Sequence, residues 1–422
     1  MPATLSDNED FDVYVTALPA TQTTSLKGGV LWGAELWEAG KFGTSLKKMA
    51  DAEGAVYIDQ IKPTEDVRSG YILGGGVSAT DFEMSMFIRG ANYRQTAIIR
   101  NRINQRFGKD TAKAQMAGQM SLTAPAEYTK QKKRFIDVVR NMYVLEESLS
   151  RNQRIRDLAI KLAGSDDKES AEYGLEAIGK HSISKLTALI KHSDDRVKFH
   201  AARCLMNLGN DEGLDVLRNF ALDKKSKYRA EALDAIFKAG KRNDAARLAR
   251  KLLRQQNDSD LIIKAYLKLK EIMDLSIERS PVANSFDLDQ VIQADKAIIY
   301  AARSGKPCIA LLGGPLRCKE DVFIQSSDGN ITINAISGED YVSIIRKHPT
   351  RPNLAPISLK STREIKDIIL TLCQNPLDSK HRGLNVSYSE AIALLSQLVE
   401  KNGVEAEFLA GPMPKISQII KK

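Results

Sequence analysis

Histidine is the side chain that most often binds metals or moves protons near neutral pH. Five occur in this chain, at His181, His192, His200, His348 and His381. None has the H-x-x-x-H or H-E-x-x-H spacing that places two imidazoles on one metal ion. We therefore predict that the histidines are solvated or cap helices, and we predict no metal site.

Cysteines and paired carboxylates also lack a reactive arrangement. The chain has four cysteines, Cys204, Cys308, Cys318 and Cys373. None form a C-x-x-C pair, so neither a disulfide framework nor a zinc site is indicated. Asp166-Asp167 and Asp194-Asp195 precede helix patterns and are interpreted as N-caps. No Ser-x-Gly elbow has triad partners, so we predict no enzyme activity and no cofactor.

A run of three glycines, Gly74-Gly75-Gly76, could hold an anion through its backbone N–H groups. It lacks the Lys-Ser/Thr pair and the following helix of a phosphate-binding loop. We interpret the run as a turn between strands.

Two stretches contribute strongly to the net charge of +9. Arg89–Lys113 holds seven Lys/Arg and one Asp, and Lys130–Arg156 holds eight Lys/Arg and three acidic residues. Such stretches could neutralise phosphates, but aromatic residues that would stack on bases make up only 6% of the chain. We interpret both stretches as protein-contacting or solvated faces and place nucleic-acid binding second.

The middle of the chain repeats itself. Three segments can be superposed: Ala171 to Gly179, Ala201 to Gly209 and Ala232 to Gly240. Their glycines are thirty and then thirty-one residues apart. Apolar residues at spacings of three and four are typical of an amphipathic helix, and a left-handed glycine commonly ends one. A second apolar set after each glycine predicts a second helix.

Each repeat is therefore a helix, a glycine turn and another helix. One such pair cannot bury its apolar face alone, so neighbouring pairs must stack into a solenoid. The array resembles short HEAT-like repeats, with Asp194-Asp195-Arg196-Val197 as the N-cap turn of one unit. A charge at Leu205 is expected to disrupt the stacked core.

The part before the array mixes strand and helix patterns. Strands are predicted at Phe11–Ala17, Ala55–Ile58, Phe82–Ile88 and Ser121–Ala124. Asn92 is expected to cap a helix that runs to Phe107 and stops at Gly108. A second helix is predicted at Tyr128–Met142. This combination is typical of α+β packing.

The part after the array shows a similar mixture. Strands are predicted at Lys296–Tyr300, Cys308–Leu312, Val322–Ile324, Ile331–Ile333 and Val404–Leu409. Ser327-Asp328-Gly329-Asn330 is a hairpin signal. Helices are expected to begin at Thr362 and at Ser387 or Tyr388, and Gly403 should stop the second.

These two parts resemble the bacterial flagellar P-ring protein family. The turn Ser25-Leu26-Lys27-Gly28-Gly29 looks like the Ser-Leu-(Arg/Lys)-Gly-Gly turn of that family. The resemblance continues through Thr96-Ala97, Ile103-Asn104, Phe107-Gly108, Ala112 to Ala114 and a strand that ends at Pro125. The order strand, Arg-x-Gly turn, strand, hairpin, two helices and last strand is similar to the family's closing part. The resemblance implies a structural ring subunit.

Some family features have no counterpart here. Met1 to Asp12 is acidic and polar, with neither region of an export signal. The family often has one cysteine near the hairpin and another near the last strand. Cys318 occupies the first place and Val404 lies near the second, so that disulfide is not expected. The resemblance implies the periplasmic flagellar basal body, with the cytoplasm as the alternative.

The predicted fold class is α+β, with mixed sheet-and-helix pieces at both ends and an inserted all-α HEAT-like solenoid. The predicted segments are a P-ring-like front part (1–148), the solenoid (149–277), a P-ring-like rear part (278–410) and a basic tail (411–422). No apolar run approaches the ~18 residues of a membrane-spanning helix.

Two functions fit this organisation. The first is a structural subunit that assembles head-to-tail into a homo-oligomeric ring, with flagellar rod or ring proteins as partners. In that assembly Arg94 and Arg102 are expected to meet acidic patches on the next copy. The second is a soluble HEAT-repeat adaptor that binds a protein through its concave surface, with nucleic acid as the less favoured ligand.

Overall fold

The computed structural model describes residues 8–37, 47–62, 66–80, 84–90, 92–144, 148–255, 258–348, 353–378 and 382–414. Within these ranges the chain forms two compact units. The first unit holds Met1–Asp81, Leu253–Ile263 and Met273–Lys422, and the second holds Phe82–Leu252 and Lys264–Ile272.

The described ranges contain strands and helices in both units. The strands are β1 Asp10–Thr16, β2 Val30–Trp37, β3 Lys48–Ala55, β4 Ser69–Ser78, β5 Met84–Phe87, β6 Ala112–Met116, β7 Gln119–Leu122, β8 Glu278–Val282, β9 Phe286–Val291, β10 Ile298–Ala301, β11 Cys308–Leu312, β12 Val322–Gln325, β13 Ile331–Ala335, β14 Tyr341–Arg346, β15 Ile357–Thr362 and β16 Glu407–Ala410. The α-helices are α1 Tyr93–Phe107, α2 Lys132–Arg140, α3 Ser148–Gly164, α4 Lys168–Ile178, α5 Ile183–Leu189, α6 Asp195–Asn207, α7 Glu212–Leu222, α8 Arg229–Ala239, α9 Arg242–Gln255, α10 Ser259–Glu271, α11 Ile365–Cys373 and α12 Tyr388–Glu400.

The first unit contains a front sheet with strand order β1-β4-β3-β2, in which all neighbours are antiparallel. Successive residues of a strand point to opposite faces of its sheet. In β3, Ala50 and Ala52 are buried, whereas Asp51 and Glu53 are exposed. The front sheet therefore has one packed face and one face that carries exposed side chains.

The three glycines at Gly74-Gly75-Gly76 lie inside β4, so the predicted turn there is wrong. A Cβ atom at Gly75 would come within 2.3 Å of the Glu53 carbonyl oxygen, and one at Gly76 within 2.7 Å of the Phe11 ring. The glycines let a neighbouring backbone and an aromatic ring approach β4 closely, which is a known use of glycine within strands.

The rest of the first unit includes two more sheets, the helices α11 and α12, and the segment Leu253–Ile263. A five-stranded mixed sheet has the order β16-β10-β11-β9-β8, and a four-stranded antiparallel sheet has the order β12-β13-β14-β15. The predicted hairpin joins β12 to β13. The residues expected to face inward are buried in one apolar core: Ile365, Ile368, Ile369 and Leu372 of α11, and Ile392, Leu395 and Leu398 of α12.

Residues from both ends of the chain share this core. Tyr57 belongs to the apolar cluster and its ring lies 6.2 Å from that of Tyr388. The buried Asp59 carboxylate accepts a hydrogen bond from the Arg303 guanidinium at 2.9 Å. Asp12 accepts hydrogen bonds from the backbone N–H of Gly305 at 2.8 Å and from the Ser304 hydroxyl at 2.6 Å. The first unit therefore contains residues that are about 300 positions apart in sequence.

The second unit begins with a small sheet, β5-β7-β6, against which α1 and α2 pack. Asn92 caps α1 as predicted, in a reciprocal arrangement with Gln95, and Gly108 follows the helix with a φ of +113°. The predicted helix at Tyr128–Met142 divides into a 3₁₀ turn at Ala126–Gln131 and α2.

The helical array occupies the rest of the second unit. Its helices pair and stack around a core that includes Leu175, Leu186 and Leu205, each with no exposed surface. Gly179 and Gly209 have the expected positive φ, at +87° and +74°. Gly240 does not: it is extended, with φ −86° and ψ 169°. The α+β fold class with an all-α array is confirmed.

Of the four described strands of the front sheet the sequence pattern predicted only β1, and it predicted a strand at Ala55–Ile58 that the sheet lacks. β3 is poor in β-branched residues, and the predicted strand at Ala55–Ile58 lies largely beyond its end. Tyr57 forms only an isolated bridge with Tyr71. Pairing with β2 and β4 places β3 in the sheet despite its weak intrinsic preference.

The two compact units are defined by contacts within the fold, whereas the four predicted segments are defined by sequence resemblance. The units therefore do not test the segment boundaries, which stay a prediction. The first residues of the predicted strand at Phe82–Ile88, His381 and residues 415–422 of the predicted basic tail lie outside the described residues. Among the helices that are described, none combines the length and the apolar character needed to cross a membrane.

Cys318 and Val404 are paired across an isolated antiparallel bridge. Bridge partners have Cα atoms about 4.5–5.5 Å apart, which is within the range of a disulfide. We expect Val404→Cys to form a disulfide with Cys318 and to raise the free energy of unfolding by about 2–4 kcal/mol. Thiol titration in denaturant should show two fewer thiols after oxidation.

The control for this disulfide is the same variant with Cys318→Ser, which should keep its new thiol. An unchanged thiol count in the oxidised Val404→Cys protein would show that the two side chains do not meet. All four natural cysteines are buried and none is in a disulfide. No exposed natural thiol therefore competes with Cys318 for a disulfide with the introduced cysteine.

Candidate protein-binding cleft

The histidines occupy different environments. Nδ1 of His192 accepts a hydrogen bond from the Asp194 backbone N–H at 3.0 Å, in the turn before α6, which agrees with a capping role. His200 differs, because it is buried and its Nδ1 lies 2.7 Å from Oε2 of Glu172. The prediction of a solvated or capping role is wrong for His200. In the described part of the chain no group of His, Cys, Asp and Glu is arranged to hold a metal ion.

Glu172 and Glu176, one turn apart on α4, are fully buried within a network of charged groups. The Arg134 guanidinium of α2 contacts both carboxylates, at 2.5 Å from Oε1 of Glu172. Arg203 of α6 donates two hydrogen bonds to Glu172, at 2.8 and 2.6 Å. Tyr128 donates its hydroxyl to Glu176 at 2.8 Å. We call these residues, with His200, the buried charge network.

The network balances its charges inside the second unit. Burial opposes ionisation of Glu172, but Arg134 and Arg203 outweigh burial and hold the pKa of this carboxyl well below its ordinary value. Burial also opposes the charge of Arg134, and the two glutamates outweigh it and raise the pKa of the guanidinium. Two carboxylates therefore face two guanidinium groups, and the network joins α2 to the first repeats of the array.

A cleft of about 520 Å³ lies beside this network, entirely within the second unit. The 3₁₀ turn at Ala126–Gln131 forms one side, and the chain segments around Gly209 and Gly240 form the other. Its floor includes the buried apolar side chains Met206, Phe237 and Ile272. We call this feature the basic cleft.

Basic side chains outnumber acidic ones around the cleft. Its lining includes one acidic residue, Glu127, and five basic residues, Arg106, Lys130, Lys180, Lys238 and Arg242. Such a lining in a recess with a low-dielectric floor raises the local potential and favours acidic ligands. An apolar floor with a charged rim is also the usual anatomy of a protein-binding site.

Arg106, Arg242 and Lys130 contact other groups of the same unit, and they differ in this from the remaining two cations of the cleft. Arg106 donates to the carbonyl oxygens of Ala177 at 3.0 Å and Glu176 at 2.8 Å, so it caps the last turn of α4. Arg242 similarly donates to the carbonyl of Ile272 after α10. Lys130 forms an exposed pair with Glu271 at 3.8 Å. Lys180 and Lys238 are exposed and have no ion pair with any described residue, which leaves both ammonium groups available.

The predicted basic stretches therefore contain residues with different roles. Arg134 is internal and structural, whereas Lys130 lines the cleft. Arg94 is exposed on α1, and Arg102 donates to the Tyr143 carbonyl at 3.2 Å. The stretches were identified by composition, but only the fold separates charges that hold the unit together from charges that line the cleft or are exposed.

Stacked helix pairs of this kind define an α-solenoid, a class of repeat protein. Comparison with known families agrees with this class. The family model of the flagellar P-ring protein matches residues 1–154, and that of HEAT repeats matches 144–237 and 183–270. No curated protein matches the chain. The resemblance to the P-ring family with a HEAT-like insertion is confirmed, and both matches point to a non-enzymatic protein.

Proposed function

We propose that this protein is a structural subunit that assembles head-to-tail with further copies, and that its HEAT array binds a protein partner. The P-ring match over residues 1–154 carries this proposal. It supports the periplasmic flagellar basal body as the place of assembly, with rod or ring proteins as neighbours. Head-to-tail contacts close into rings when the rotation between copies allows it.

The rear part supports the same proposal, although the P-ring match ends at residue 154. The elements expected from the resemblance occur in their expected order: β10, the turn at Gly305, β11, the β12–β13 hairpin, α11, α12 and β16. Four strands that were not expected accompany them, β8 and β9 before β10 and β14 and β15 between the hairpin and α11. The shared core of residues near Tyr57 and Tyr388 joins the P-ring-like front sequence to this rear part. We infer that the rear part has the same origin and that the array is an insertion between the two.

Sedimentation velocity over a micromolar concentration series tests the assembly. We expect species larger than the monomer that grow with concentration, and closed particles of one diameter in negative-stain images. Lower salt should strengthen the association, since charged surfaces on two copies attract each other less when ions screen them. A single monomeric species at every concentration and salt would contradict the proposed assembly.

A soluble HEAT-repeat adaptor is the second candidate function, and the basic cleft favours it. An adaptor would bind a fluorescent acidic peptide with interspersed leucines through the cleft while staying monomeric. Peptide binding without self-association would support the adaptor in place of the ring subunit. A peptide with lysine in place of each acidic residue is the matched control for charge.

A further inference from the structure

The two compact units carry opposite net charge. With histidine counted as neutral, the second unit holds 37 lysines and arginines against 22 aspartates and glutamates, a net charge of +15. The first unit holds 25 against 31, a net charge of −6. A chain with one acidic and one basic unit attracts further copies in a head-to-tail sense, because unlike units attract and like units repel.

The first unit offers an acidic and aromatic surface on its front sheet. Glu35 of β2 lies directly opposite Asp51 of β3, and Glu53 follows two residues later, so the three carboxylates share one face. All three are exposed. Trp32 lies on β2, the edge strand of this sheet, at an irregularity in the β2–β3 pairing between Leu31 and Ala34, and is 85% exposed. We call this group of four residues the acidic sheet face.

An indole so exposed is unusual for a residue that contributes a large apolar area when buried. Tryptophans of this kind, beside charged residues, are common anchors of protein–protein contacts. The basic cleft of the second unit has the complementary features: Lys180 and Lys238 at its rim and Met206, Phe237 and Ile272 in its floor. Both surfaces combine apolar side chains with charges of opposite net sign: three carboxylates with Lys48 at the sheet face, and five cations with Glu127 at the cleft.

We infer that the acidic sheet face of one copy docks into the basic cleft of a second copy. Trp32 covers the apolar floor, and Glu35 and Glu53 face Lys180 and Lys238 of the other molecule. The contact is heterologous, since two different surfaces meet, and it can repeat from copy to copy. This inference rests on the proposed head-to-tail assembly and names the surfaces that make it.

Charge reversal in the cleft tests the inference. In sedimentation velocity, Lys180→Glu with Lys238→Glu should weaken self-association by about tenfold or more, because both changes turn attraction into repulsion. The matched control is Lys224→Glu with Lys225→Glu, two exposed lysines of the same unit outside the cleft. It changes the net charge equally and should associate like the wild type. Circular dichroism melting checks that both variants fold.

Restoration by a second charge reversal is the sharper measurement. Lys48 pairs with both Glu35, at 3.1 Å, and Asp51, at 2.7 Å. Glu35→Lys with Glu53→Lys should weaken association by itself, and Asp51 remains to pair with Lys48. A chain with all four reversals again has opposite charges on the two surfaces and should associate like the wild type. Recovery of this kind is expected of two surfaces that meet and not of two independent defects.

The remaining outcomes separate the inference from the proposed function. If the cleft variant assembles like the wild type, the docking surfaces are wrong and the assembly stands. If the control variant weakens association equally, only overall charge matters and the cleft has no special role. If the cleft variant loses binding to duplex DNA but assembles normally, the cleft serves nucleic acid. A wild type that stays monomeric overturns the proposed assembly and this inference together.

Discussion

Replacing Glu172 by glutamine should lower the free energy of unfolding of the second unit by about 3–5 kcal/mol. Glu172 is fully buried and contacts Arg134, Arg203 and His200. An uncharged side chain of the same shape leaves two guanidinium groups with one remaining carboxylate, that of Glu176. Uncompensated buried charge is among the few causes of losses this large from one substitution.

Thermal unfolding followed by circular dichroism measures this loss, and the midpoint should fall by about 10 °C. Hydrogen exchange shows which helices are destabilised, and we expect faster exchange in peptides from α2, α4 and α6. Glu169→Gln is the matched control, because Glu169 lies on the same helix and is exposed. It should change stability by less than about 0.5 kcal/mol. Equal effects of the two substitutions would show that the network does not stabilise the fold.

The pH dependence of this effect follows from the lowered pKa of Glu172. A carboxyl with a lowered folded-state pKa stabilises the fold above its unfolded-state pKa, and the contribution is lost as pH falls through the folded-state value. The ordinary value is 4.5 and the folded value lies well below it. The stability difference between wild type and Glu172→Gln should therefore be constant above about pH 5 and should shrink steadily below it. A difference that grows on acidification would contradict the assigned charge state.

The helices were the most predictable part of this protein. Their apolar residues recur with the helical period, and caps such as Asn92 and Asp194 mark where they start. Glycine positions were less informative, because one residue type serves several backbone conformations. Gly179 and Gly209 end helices with positive φ, Gly240 is extended, and Gly75 lies within a strand. Only the neighbouring atoms distinguish these uses.

The buried charge network was not predicted, because its members come from separate parts of the sequence. Arg134 lies in a stretch that has the composition of a solvated helix, and Glu172 lies next to Ala171 at the edge of an apolar pattern. The one local signal of a buried charge network is a pair of glutamates one turn apart on a helix that packs on both sides. These are Glu172 and Glu176. The basic cleft depends in the same way on the approach of the turn near Lys130 to the segments around Gly209 and Gly240.

The repeat pattern predicts that Leu205 lies in the stacked core, and a charge at this position is expected to cause the largest loss in the free energy of unfolding. Leu205→Asp should lower the free energy of unfolding by more than the ~2–5 kcal/mol of a Leu→Ala change in a core. Leu205 has no exposed surface and belongs to a cluster with Leu175 and Leu186. The substitution removes that packing and places a carboxylate where the described residues offer apolar contacts, so desolvation of the charge adds to the cavity cost.

Ile160→Asp is the matched control for this substitution, because Ile160 lies in the same array on α3 and is 70% exposed. It introduces the same carboxylate without removing a buried side chain, so its effect should stay within about 0.5 kcal/mol. Circular dichroism melting of both variants, with hydrogen exchange on peptides from α4 to α7, separates a collapsed array from a local change. Leu205→Asp should lose protection throughout those helices, because stacked repeats share one continuous core and each helix depends on its neighbours. An unchanged melting temperature for Leu205→Asp would refute the stacked core on which the cleft and the buried charge network both depend.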